Sequence, residues 1–382
     1  MDPMRLIARL EKLVAFDTQN PPGAREAECA GWIASELRAL GFEVEIDAFD
    51  SGRANVVASL DRGPGPCFAF NTHMDVVPAG EGWTGNAFRL REDDGRLYGR
   101  GACDAKGSLA AMLEALSLLS EHRTTWRGRL MGVFVADEED CSRGARRYAR
   151  SRPAIDYVVV GEPSGNAPII AHKGSLRPLV RVEGRTAHSG TPDLGLNAIF
   201  EAARLLPAIA RMHTALRGTT HPLIGTPSLT VTRATAGVAD NVVPGSCDLL
   251  LDRRLIPGET EAGAVAELQA LLDDARARDG IASRIVELKP TTGGAAETPA
   301  DHAVVKVAVA VAGRHGVVDP RPVGFQGACD FVHFRDAGAQ GVVLGPGDLA
   351  VAHKPNEFVP RAELEAAALI YRDIAAALLA PG

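Results

Sequence analysis

Two rhythms of apolar and polar positions divide the chain. From Arg5 to Phe16 and from Arg25 to Leu40 apolar residues recur at helical spacing, and Gly41 directly after Leu40 predicts a helix stop. Runs of strand length follow at Glu43 to Phe49, Ala54 to Leu60, Cys67 to Thr72, Leu130 to Ala136 and Tyr157 to Val160. Between them Lys106 to His122 reads as a buried amphipathic helix that begins directly after Asp104. This alternation predicts an α/β fold, a sheet covered by helices on both faces.

Near Ser175 the rhythm changes. Strand Leu176 to Glu183, helix Leu196 to Arg217, strands Ser228 to Ala234 and Ser246 to Leu255, helix Thr260 to Asp279 and strand Ser283 to Leu288 give β-α-β-β-α-β. That is the order of a two-layer α+β unit able to fold around its own core. The first rhythm then resumes with helix His302 to Arg314, strand Gly341 to Leu344 and a closing helix Arg361 to Leu379. The expected organisation is one domain, residues 1–174 and 291–382, interrupted by another, residues 175–290.

Composition narrows the partners. An apolar content of 46% fits a folded globular chain of 382 residues, and a net charge of -7 without any basic run argues against nucleic acid and anionic membranes. Six scattered Cys with no Cys-x-x-Cys pair read as reduced thiols. Residues Met1 to Lys12 are broken by charge, unlike a signal peptide, and no run approaches the roughly 18 apolar residues of a membrane span. A soluble, cytoplasmic protein acting on small molecules is expected.

Candidate chemistry lies where apolar runs stop. His73, Asp104, Glu139, Glu162 and His353 stand at or near such positions. In an open α/β sheet the edge beyond the strand carboxyl ends is where distant segments converge. Two His and three carboxylates without Cys form a borderline-hard donor set suited to Zn²⁺, Co²⁺ or Mn²⁺. Because His353 follows the insertion and the other four precede it, a shared site requires the two flanks to form one domain.

Each position also has a plainer reading. His73-Met74-Asp75 fits a surface loop after a strand, or a ligating imidazole whose second N–H is accepted by the Asp75 carboxylate. Asp104 lies in a Gly-rich turn at a helix start, but Lys106-Gly107-Ser108 reverses the Gly-Lys-Ser order of a phosphate-binding loop. Asp137-Glu138-Glu139-Asp140 fits a solvated loop, or a pair of Glu in which one holds metal and the other moves protons. Glu162 before Pro163 and His353 beside Lys354 read singly as turn and surface residues. His122, His172, His213, His221, His302 and His315 have no ligand-like context, and His333 has an apolar, structural one. His188 follows the first strand of the insertion in a loop able to face a metal cleft. No Gly-x-Ser-x-Gly or His-Glu-x-x-His motif competes.

Taken together, His73-x-Asp75, Gly99 to Gly107 around Asp104, Glu138-Glu139, Gly161-Glu162-Pro163 and Gly345-Pro346-Gly347 before His353 resemble the M20 family of dinuclear zinc metallopeptidases and deacylases. The likeness covers nearly the whole chain and points to the branch containing acetylornithine deacetylase and succinyl-diaminopimelate desuccinylase. It implies a zinc-peptidase-like α/β/α catalytic domain interrupted by a lid and dimerisation domain, in a cytoplasmic homodimer. Two divalent ions are implied, Zn²⁺ first and Co²⁺ or Mn²⁺ as substitutes. Asp104 would bridge them, His73 and Glu162 completing one site, Glu139 and His353 the other, with Asp75 orienting His73. Glu138 would be the general base, and His188 would steady the oxyanion from the partner subunit. Arg254, Asn241 and Gly327 resemble substrate-holding positions. The implied reaction is hydrolysis of an N-acyl amino acid; a short peptide is the alternative, through a dipeptidase or carboxypeptidase, or a succinyl substrate. Ala171-His172-Lys173-Gly174 resembles acetylornithine deacetylase, whereas Gly327-Ala328-Cys329-Asp330 departs from the Thr-Glu-Ala found there.

Overall fold

The most apolar runs of the chain lie side by side at the centre of one sheet. The computed structural model describes residues 1–21, 23, 25–121, 126–151 and 155–380; His122, without a ligand role above, lies outside them. The first flank holds α1 (Pro3–Ala15), α2 (Glu26–Ala39), β1 (Glu43–Asp50), β2 (Arg53–Asp61), β3 (Cys67–His73), β4 (Arg91–Asp93), β5 (Arg96–Tyr98), α3 (Lys106–Glu121), β6 (Arg129–Val135), α4 (Arg143–Ser151), β7 (Tyr157–Val160) and β8 (Ile169–His172). Next come β9 (Gly174–Glu183), α5 (Ala198–Leu216), β10 (Ser228–Ala236), β11 (Ser246–Leu255), α6 (Glu261–Asp279) and β12 (Ser283–Lys289). The chain closes with β13 (Ala296–Glu297), α7 (Ala303–Arg314), β14 (Val323–Phe325), α8 (Phe331–Asp336), β15 (Gln340–Val343), β16 (Phe358–Pro360) and α9 (Arg361–Leu378).

By internal contacts the chain divides into two compact units. The first comprises Met1–Ile170, Glu297–Gly324 and Cys329–Gly382, the second Ala171–Ala296 and Phe325–Ala328. The large sheet has the order β1-β2-β6-β3-β7-β15-β8-β13, with β14 beside β8. Its centre is parallel, since β3 pairs in parallel with both β6 and β7, and β15 with β7. Strands covered on both faces need apolar side chains throughout, and β3, β6 and β7 are buried after their first residue. Helix α3 is buried at every residue from Lys106 to Ser120, so its sequence is apolar nearly all round.

Several short elements escape the periodic pattern. Strands β4, β5 and β16 form a small sheet whose strands, only three residues each, are too short to show apolar alternation. Helix α4 is mostly Arg and Ala, and buries only Gly144, Ala145 and Tyr148; ion pairs from Arg143 to Asp137 and from Arg147 to Asp47 hold its polar side. The first long helix of the insertion starts at Ala198 rather than Leu196 because the Asn197 side chain accepts the N–H of Ile199.

The second unit shows the expected β-α-β-β-α-β order. Its four-stranded sheet runs β10-β11-β9-β12, antiparallel throughout. Buried residues alternate along β9 and β11, and Leu205 of α5 and Leu268 and Leu272 of α6 join Val180, Leu249 and Leu251 in one core. Truncating one such Leu to Ala removes about 2–5 kcal/mol.

Candidate metal centre

Strand register brings the candidate ligands of the first unit to one sheet edge. His73 closes β3 level with Val135 at the end of β6, and Val160 at the end of β7 pairs with Asn71. Glu138 and Glu139 follow β6 by a few residues, and Glu162 follows β7 by two. Asp104 precedes the first residue of α3, and His353 lies between β15 and β16 in the left-handed region, at φ 60°.

The five ligand candidates form two groups that share Asp104. His73, Asp104 and Glu162 make one; Asp104, Glu139 and His353 make the other, with donor atoms in each within 4.8 Å of one another. Asp104 serves each with a separate oxygen: Oδ1 is 3.2 Å from His73 Nε2, and Oδ2 is 3.2 Å from His353 Nε2. His353 Nε2 also lies 3.1 Å from Glu139 Oε2, and His73 Nε2 lies 3.8 Å from Glu162 Oε1.

Asp75 acts differently from the expectation. His73 Nδ1 is 2.9 Å from the backbone carbonyl of Asp75 and 3.7 Å from its carboxylate. A carbonyl only accepts, so Nδ1 donates to it and Nε2 is the nitrogen turned to the ligands. The Asp75 carboxylate instead accepts the backbone N–H groups of Glu138 and Glu139, each at 3.1 Å, and the Asn20 side-chain amide at 3.0 Å. In the extended run after β3 the carbonyl is nearer the imidazole, which frees the carboxylate to bind the loop after β6. Asn20 is a functional candidate the sequence reading missed. Its only signal was the polar run Asp17-Thr18-Gln19-Asn20 after the first helix; here its amide bonds both Asp75 and Asp137.

Charge at this edge is heavily negative. Burial pushes the carboxyls of Glu138 and Glu162 well above their usual range, and neighbouring carboxylates push them further. Burial also raises Glu139, with repulsion from Asp104 added. Asp104 itself is held well below the usual range, because hydrogen bonds from His353 and His73 outweigh its burial. Those bonds to Asp104 and Glu139 lift His353 to about 10. Burial pushes Asp330, a second missed residue, up to about 7 against the opposing influence of the Ser142 hydroxyl and His73. Glu139 Oε1 is buried without a hydrogen-bond partner. A buried acceptor left unmet costs about 1–3 kcal/mol, so the oxygen-rich, two-His set fits divalent cations.

The remaining predicted residues belong to the second unit. His188 and Asn241 are exposed neighbours there: His188 bridges Val242, Ser189 N–H bonds the Asn241 carbonyl, and His188 Nδ1 accepts the N–H of Gly190. Arg254 on β11 forms an ion pair with Asp252 at 2.7 Å. Gly327 is packed so closely that an added Cβ would meet the Phe325 ring. Several histidines without a ligand role hold local structure: His302 caps α7 and His315 pairs with Asp373. All six Cys are free.

Paired carboxylate and imidazole groups at the carboxyl edge of a parallel sheet define a metallohydrolase-type centre. Residues 69–377 match the model of peptidase family M20/M25/M40, and the chain belongs to that family of hydrolases. It is 35% identical to an acetylornithine deacetylase of Myxococcus xanthus over 370 residues, 94% of this chain and 93% of that protein. In fold it is similar to a tripeptidase from Staphylococcus aureus subsp. aureus Mu50, with a TM-score of 0.82, 22% identity and 99% of both chains covered. A dinuclear metal-binding M20 peptidase from Bacillus subtilis has the same fold, with a TM-score of 0.75, 17% identity, and 99% of this chain and 98% of that one covered.

Proposed function

We propose that this protein is a dinuclear metal-dependent deacylase that hydrolyses the amide bond of a small N-acyl amino acid, in the manner of acetylornithine deacetylase. The observation that carries this reading is the pair of ligand groups sharing Asp104. His73, Asp104 and Glu162 would hold one ion and Asp104, Glu139 and His353 the other. Zn²⁺ suits these donors best, with Co²⁺ or Mn²⁺ as substitutes. When bound, two such cations lower the pKa of water and polarise a carbonyl.

The chain's own residues supply the rest. Glu138 stands in neither ligand group, so its carboxylate is free to take a proton from the attacking water and return it to the departing amine nitrogen. Burial raises its proton affinity above that of an ordinary carboxylate, which favours taking up the proton. Asp75 and Asn20 hold the Glu138-Glu139 backbone in place. In the second unit, read as lid and dimerisation domain, His188 would steady the developing oxyanion from a partner subunit, and Asn241, Arg254 and the Gly327 amide would hold substrate. A homodimer accords with the exposed apolar side chains Leu194, Ile199 and Phe200. A cytoplasmic location is proposed; among the described residues no helix is long and apolar enough to cross a membrane.

Activity of metal-reconstituted protein on acetyl, succinyl and formyl amino acids, compared with dipeptides, tests the reading. Turnover of N-acetyl amino acids above all others supports it. Preference for dipeptides or peptides would transfer the chain to the dipeptidase or carboxypeptidase reading.

A further inference from the structure

Arg100 and Glu357 form an ion pair in the first unit in which each residue is 1% exposed. Glu357 Oε2 receives Arg100 Nη1 at 2.5 Å, while Oε1 accepts the backbone N–H of Cys103 at 2.9 Å and of Asp104 at 3.0 Å. The guanidinium also reaches carbonyls, Nη2 those of Pro78 at 3.2 Å and Ala79 at 3.1 Å and Nη1 that of Lys354 at 3.4 Å, while its Nε–H is buried without a partner. One buried pair thus ties together the segment after His73 and Asp75, the turn that holds Asp104, and the loop that carries His353.

Stability alone is a poor account of this pair. Burying two charges carries a desolvation cost that their attraction often fails to exceed, and apolar residues of similar volume commonly do as well. What apolar residues cannot do is accept two amides and donate to three carbonyls on two separate loops. His353 needs such support, because it adopts φ 60° outside any strand or helix, a region that L residues enter only when their surroundings hold them there. His73 and Glu162 need it less, since strand ends in paired register position them.

We propose that Arg100 and Glu357 are positioning residues for the second ion of the dinuclear centre, fixing Asp104 and His353 in mutual reach without touching metal or substrate. The inference rests on the dinuclear reading above and names what holds one of its two sites in shape.

Titration of metal-free protein with Zn²⁺ against a chelator, with ions per chain counted by elemental analysis after equilibrium dialysis, tests it. In Glu357→Gln and in Arg100→Lys one ion should bind within about threefold of wild type and the other about 10- to 100-fold more weakly, the usual effect of losing an outer partner. Glu114→Gln is the control. It breaks another buried pair, Arg9 with Glu114 at 2.7 Å, together with the Arg5 contact to the same carboxylate, and should lower Tm while leaving both affinities intact. Two ions at wild-type affinity in the folded variants, equal weakening of both ions, or the same selective loss in Glu114→Gln would overturn the proposal. If the single variants do not fold, the double variant Arg100→Met/Glu357→Leu leaves no unpaired charge; selective loss of one ion there supports the proposal and retention of both overturns it. Fewer than two ions in the wild type would overturn the dinuclear reading itself, and this inference with it.

Discussion

Asp75 Oδ1 accepts the backbone N–H of Glu138 at 3.1 Å. Through its second oxygen the same carboxylate takes the N–H of Glu139, so one side chain holds the backbone of both the proposed general base and the proposed metal ligand beside it. The preceding residue, Asp137, lies at φ 73°, and its carboxylate is held by Arg53 at 2.8 Å, Arg143 at 2.8 Å and Asn20 at 3.0 Å. The loop after β6 is therefore fixed from beneath, before any substrate arrives.

Asp75→Asn should be harmful despite its near-identical shape. An amide nitrogen in place of one oxygen would face a backbone N–H and leave a buried donor unmet, costing about 1–3 kcal/mol. Denaturant unfolding reads that loss. Activity on an accepted substrate should fall about 10- to 100-fold, and wild-type kcat/KM in a folded Asp75→Asn protein would remove the positioning role.

Glu138→Gln separates proton transfer from metal binding. The variant should keep its bound ions and lose roughly 10²-fold or more in kcat, the usual scale of general-base catalysis. His73→Ala should do the reverse and lower metal content first. Elemental analysis beside steady-state kinetics distinguishes the two, and near-normal turnover by Glu138→Gln would sink its assignment.

Arg254 is already engaged by Asp252 at 2.7 Å, so a substrate carboxylate would have to share or displace that partner. Its planar fork can grip a carboxylate bidentately, which an ammonium cannot copy. Arg254→Lys should lower kcat/KM for an N-acyl amino acid more than for the matching carboxamide. Equal kcat/KM of the wild type on acid and carboxamide would rule out carboxylate recognition.

His172 carries a pH prediction. Burial pulls its imidazole from 6.5 down to about 4, against the opposing contact with the Lys173 carbonyl at 2.9 Å. Between those values the unfolded chain binds the extra proton and the folded chain does not, so stability rises with pH across the window and is lost as pH falls through it. Going from pH 7 to pH 5 should remove about 2 kcal/mol through this group. In His172→Gln that share of the acid sensitivity should vanish, which urea midpoints at the two pH values measure; an unchanged slope would show that His172 titrates normally.

The sequence by itself determined the elements whose signal is local. Apolar runs marked β3, β6 and β7, and the residues at or just past their ends, His73, Glu139 and Glu162, stand together because parallel register aligns strand ends. The change of rhythm near Ser175 marked the second layered core in the same way. Only the tertiary structure decided how the polar groups are satisfied. The Asp75 carboxylate serves Glu138 and Glu139 rather than His73, Asn20 reaches Asp75 across 55 positions, and Glu357 accepts the Asp104 amide across 253. Apolar periodicity reports which face a residue buries, and neighbours along the chain suffice to show it. A buried donor or acceptor takes whichever partner the packed chain brings within about 3 Å, and that partner is set by the folding of segments hundreds of residues apart.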